Sequence, residues 1–135
     1  MKKNYWLLLL ALLNLTVYSQ EIDLKKGKVI ANNNSVFKFD KRKMGSEISL
    51  FQLNTNTEVV FIEINNNNTI SYLNDDYIRF VFPKNDVTIE STLLINKNFK
   101  EIIQLLFMNK VVDLDGNINA ENLEIFKTKQ NNRSI

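Results

Sequence analysis

From Val36 to Leu93, apolar and polar residues mostly alternate with a period of two. Phe37 and Phe39 alternate with Val36, Lys38 and Asp40, and Ile78, Phe80 and Phe82 with Tyr77, Arg79 and Val81. Val87, Ile89, Ser91 and Leu93 alternate in the same way with Thr88, Glu90 and Thr92. A period of two built from β-branched and aromatic residues predicts half-buried strands. Residues 48–53 and 59–64 are apolar on both faces, which predicts places nearer the middle of a sheet. A first strand is expected at 28–31, and Pro83 should close the strand ending at Phe82.

The marks between these segments are asparagines. The chain has 21 Asn but three Gly and one Pro, and Asn32–Asn34, Asn54–Thr57, Asn65–Asn68 and Asn74–Asp76 all separate apolar stretches. Asn tolerates the left-handed backbone region and bonds to its own main chain, so these clusters predict turns in place of the missing Gly and Pro. The short connections favour sequential antiparallel pairing.

Beyond Ile95 the period lengthens. Asn98 can cap a helix in which Phe99, Ile102, Ile103 and Leu106 share one face. Asp115-Gly116-Asn117 breaks the chain, and Asn119 caps a second helix with Leu123 and Phe126 facing inward. The expected fold is α+β: an antiparallel meander of five to seven strands followed by a C-terminal two-helix hairpin.

The N-terminus reads as an address. Lys2 and Lys3 precede an apolar run, 5–13 with an extension to Leu15, and Val17 and Ser19 supply the small residues of a signal-peptidase site. The run is shorter than the roughly 20 apolar residues of a spanning helix. The expected organisation is a signal peptide at 1–19, one domain at 20–130 and a frayed polar tail at 131–135. The chain should be exported, to the periplasm or beyond, with no membrane span left after cleavage.

Loss of Lys2 and Lys3 leaves 15 basic against 15 acidic residues, so the mature chain is neutral and makes no case for a nucleic-acid partner. There is no Cys and no His, which excludes disulfides, thiol or Ser-His catalysis and Cys- or His-based zinc sites. No phosphate-cradling glycine loop is present, and no cofactor is expected.

Two candidate sites remain. Tyr72 and Tyr77 flank the turn carrying Asp75 and Asp76, and if exposed the tyrosines form a contact pair; the paired carboxylates there read as a solvated turn. The nine Phe residues are expected on inward faces. The second candidate runs from Asp113 to Glu124 and resembles the calcium loop of an EF-hand over about twelve residues. Asp113, Asp115, Asn117, Glu121 and Glu124 would fall at positions one, three, five, nine and twelve. In that register Ile118 takes the position that needs Gly. Placing Gly116 there instead loses the ligands at both ends. An Asp-Gly turn explains the segment more simply. The expectation is therefore a non-catalytic binding domain of the bacterial envelope, using a face or an edge of its sheet on another envelope protein or a peptide. A calcium-binding module or calcium-dependent carboxylate enzyme is the alternative.

Overall fold

Two-residue turns set the first three strands. Lys26 and Gly27 (φ 52° and 74°) and Asn32 and Asn33 (φ 51° and 68°) all hold positive φ, the requirement of hairpin turns whose twist matches that of the strands they join. Here Asn does the work of Gly. In a computed structural model that describes residues 21–65 and 76–133, the chain forms β1 (Ile22–Lys25), β2 (Lys28–Ala31), β3 (Asn34–Arg42), β4 (Glu47–Gln52), β5 (Glu58–Asn65), β6 (Tyr77–Phe82) and β7 (Val87–Ser91). Each strand pairs antiparallel with the next, giving a seven-stranded meander in sequence order. The strands apolar on both sides, β4 and β5, lie in its interior.

Register fixes the faces. Ile48 pairs with Ile62, Ile62 with Phe80, and Phe80 with Ile89, so one face carries an uninterrupted apolar row across four strands. Helix α1 (Phe99–Met108) and helix α2 (Ala120–Gln130) both pack there, with Phe107 against Phe37 and Phe126 edge-on to Phe80 at 5.6 Å. The fold is α+β, with the two helices following the sheet. Asn98 caps α1 reciprocally with Glu101, and Asn119 accepts from the Asn122 amide at the start of α2. Phe99, Ile102, Ile103, Leu106, Leu123 and Phe126 are all buried, as their spacing predicts.

Four details depart from the sequence reading. The strand expected first, at 28–31, is the second, because Ile22–Lys25 pairs with it across the Lys26-Gly27 turn. Val36, expected outward, is buried, because the β2–β3 register shifts between Val29 and Ile30 and disturbs strict alternation. Strand β7 stops at Ser91, so Leu93 is 61% exposed and Leu94 takes the buried place. Residues 131–133, expected to fray, are hydrogen-bonded along β7 instead. Among the described residues no helix is long and apolar enough to cross a membrane; the expected signal segment, 1–19, lies outside them.

Candidate functional site

With both helices on one side, no described helix covers the other face of the sheet. Its residues are set by the same register. Arg42 pairs with Glu47, Glu47 with Glu63, Glu63 with Arg79, and Arg79 with Glu90. This row crosses five strands. Lys43 Nζ lies 3.1 Å from Glu47 Oε2, and Arg42 Nε lies 4.0 Å from both Asp40 and Glu47. Arg79 Nε sits 3.5 Å from Glu63 Oε1, an ion pair without hydrogen-bond alignment. Arg133 closes the row on Glu90 at 3.2 Å. Opposite charges on neighbouring strands stabilise a sheet by tenths of a kcal/mol per pair, up to about 1.

Beside this row runs an aromatic one. Ser49 pairs with Phe61 and Phe61 with Val81; Phe51 is on the same face, beside Lys38. Phe51, Phe61 and Val81 are half-buried. Ser49 is fully buried, and Arg42 donates to its hydroxyl. Phe51 and Phe61 therefore lie off the helix-covered core, contrary to the expectation that every Phe faces inward. The sign was present in residues 48–53 and 59–64, whose second apolar face needed a cover.

The two edges of the sheet are guarded by different means. At β7 the Glu90 amide donates to Asn131 Oδ1 and the Thr92 amide to Asn132 Oδ1, at 2.8 and 2.9 Å. The Asn132 amide returns a bond to the Glu90 carbonyl at 3.1 Å. The tail thus occupies that edge. β1 is only four residues long. The tight turn makes Lys25–Lys28 a hydrogen-bonded pair, so the Leu24 amide points away from β2. That amide donates to Asp23 Oδ1 at 3.0 Å. The hydrogen bond from Lys25 holds the Asp23 carboxyl below its ordinary range, helped by the Lys25 charge and the Leu24 amide. A short strand with a charged cover is a common way to deter edge pairing.

The tyrosine pair does not hold as drawn. Tyr77 is buried, with the Arg133 guanidinium 3.7 Å from its ring centroid, so it offers little surface. Asp76 is half-buried rather than solvated, and its Oδ1 has no hydrogen-bond partner. Tyr72 and Asp75 lie outside the described residues.

In the Asp113–Glu124 segment, Asp113 Oδ1 accepts from the amides of Asp115 and Asn117 at 3.0 and 2.9 Å. The Asp113 amide donates back to the Asn117 carbonyl. Val112 and Ile118 form a bridge across the loop. Asp115, Asn117, Glu121 and Glu124 are exposed. Among the described residues no three or more carboxylates converge as a metal would require. Gly116 has φ +81° and is buried; a Cβ there would lie 3.3 Å from both Phe37 Cε1 and the Val36 carbonyl. The loop is a packed turn seated on β3. Beside it a cleft of about 720 Å³ opens between Phe107, Met108, Val112, Leu114 and Asn122, with Lys110, Asp113 and Asp115 also in its wall.

No protein family, curated protein or solved structure matches the chain. The uncovered face remains the candidate, on geometry alone.

Proposed function

We propose that the chain is a small exported envelope protein whose uncovered sheet face binds a partner, another envelope protein or an envelope polymer, without catalysing a reaction. The observation that carries this reading is the contrast between the face and the edges. The tail occupies the β7 edge and the short β1 edge carries a charged side chain on its Leu24 amide, whereas the face keeps two half-buried phenylalanines with no described helix over them. Partly buried aromatics on a rigid sheet suit a contact surface, since ordering them on binding loses little side-chain entropy. Among the described residues, Glu47, Glu63 and Glu90 of this face each stand beside a lysine or arginine, an arrangement that supports charge pairing rather than acid–base work. Export is supported by residues 1–19, and an intact mass beginning at Gln20 would test it.

The binding reading is tested by recovering the tagged protein from its native envelope with two variants beside it. Phe51→Ser/Phe61→Ser alters the face; Asn131→Ala/Asn132→Ala alters an edge. A partner lost only from the face variant fits the proposal. A partner lost only from the edge variant contradicts it.

A further inference from the structure

The neutrality of residues 21–135 hides a strong division of charge. Residues 21–45 carry seven basic and three acidic residues, whereas residues 46–135 carry eight basic and twelve acidic. Register gathers part of that excess into a line. Lys25 pairs with Lys28, and Lys28 with Lys38, so three lysines occupy neighbouring register positions on adjacent strands, about 4.8 Å apart at their backbones. Lys38 pairs with Phe51 on β4, which puts the row on the uncovered face, abutting its aromatic patch.

Like charges directly opposite each other destabilise a sheet. Elsewhere on this face the cations have carboxylate neighbours: Arg42 and Lys43 have Glu47, Arg79 has Glu63 and Arg133 has Glu90. In the lysine row only Lys25 is matched in this way. Lys25 meets Asp23 at 3.2 Å, Lys38 donates to the neutral Asn56 side chain at 2.7 Å, and Lys28 has no ion pair among the described residues. Edge protection accounts for a lysine on β1 but not for Lys28 and Lys38 on the strands behind it. An anion laid across it would relieve the repulsion and neutralise the row.

We infer that Lys25, Lys28 and Lys38, with Phe51 at the end of the row, form a binding site for a linear polyanion carrying carboxylates or phosphates repeated near the strand spacing. Such a ligand runs perpendicular to the strands, ammonium to anion, and where its backbone carries sugar carbons, as a polyuronate's does, these rest on the Phe51 ring. The inference deepens the face-binding reading and rests on it.

The probes are polygalacturonate for the carboxylate source, polyphosphate for the phosphate source, and neutral dextran as control, titrated against the full mature chain. Lys25→Gln/Lys28→Gln/Lys38→Gln removes the row. Lys84→Gln/Lys127→Gln/Lys129→Gln removes equal charge elsewhere. The row variant should bind the better polyanion roughly tenfold more weakly, from three exposed ion pairs, and the control variant should bind as wild type. Whichever polymer binds more tightly identifies the source. Lys28→Gln should also raise the melting temperature slightly at low salt, a readout independent of any ligand. Equal losses in both variants would overturn the site. So would binding of neither polymer, or binding only to anionic phospholipid vesicles. Self-association abolished by the row variant would instead assign the row to the acidic part of a second copy. If the Phe51→Ser/Phe61→Ser variant still loses its envelope partner while no polyanion binds wild type, the face reading survives and the polyanion does not.

Discussion

The two faces of this sheet are made from the same strands and obey opposite rules. On the helix-covered face, Ile48, Ile62, Phe80 and Ile89 are fully buried, and the helices add Phe107 and Phe126 to the same core. On the other face the corresponding strands place Glu47, Glu63, Arg79 and Glu90 in one row and Phe61 beside Val81 in the next. The first face holds the fold through burial, which scales with apolar area removed from water. The second is held in place by it and adds only small cross-strand terms. Side chains that the fold does not need for its core are free to serve another purpose.

The sharpest way to break the comparison is to truncate one large side chain on each face. Phe80→Ala should destabilise by about 3–5 kcal/mol, since it empties a fully buried position beside Phe126. Phe61→Ala should cost less than about 1.5 kcal/mol from its half-buried place. Denaturant titration giving equal losses would mean that the second face is also core.

Next in size is the turn that seats the helical hairpin on the covered face. Gly116→Val should cost about 2–4 kcal/mol, combining the left-handed backbone penalty with a side chain forced against Phe37 and the Val36 carbonyl. A thermal melt within a degree of wild type would show that the loop lifts freely from β3.

The edges offer a smaller effect. Asn131→Ala/Asn132→Ala removes side-chain bonds to the Glu90 and Thr92 amides and should cost about 1–2 kcal/mol. Faster hydrogen exchange should be confined to β7 and residues 131–133; loss of protection across the whole sheet would give the tail a larger part than this account does.

Smallest is the carboxylate at the β1 edge. The folded form holds Asp23 below its ordinary value of 3.8 through the Lys25 hydrogen bond. Its contribution is therefore present above that ordinary value and is lost as pH falls through the lowered one. Wild type should exceed Asp23→Asn slightly at neutral pH, and the two should converge in strong acid. A difference that grows on acidification would reverse the sign of this effect.

What could be read from the chain follows from the range over which each signal acts. Most of the strand periodicity, the Asn turns at 32–34 and 54–57, the caps at Asn98 and Asn119 and the inward helix residues are local patterns, and each appears where residue spacing puts it. The Asn clusters at 65–68 and 74–76 fall largely outside the described residues. The site features depend on which strand meets which, at what register. Lys25, Lys28 and Lys38 are scattered in sequence and become a row only after two hairpins align them. The Arg42–Glu90 row needs four pairings. Asn131 and Asn132 look like polar tail residues until β7, some forty positions away, presents its open amides. Tyr77 reads as available in the sequence because its cover, Arg133, lies farther off still. The EF-hand resemblance failed locally: the Asp113 carboxylate already accepts two backbone amides, and Glu121 and Glu124 do not join it.

The division between the faces is tested most directly by site-specific photo-crosslinking in the native envelope. A benzophenone side chain would replace Phe61 on the uncovered face in one variant and exposed Ile125 on α2 in another. The account expects a discrete adduct from position 61 and none from position 125. Adducts from position 125 alone would place the binding surface on the helical side and contradict it.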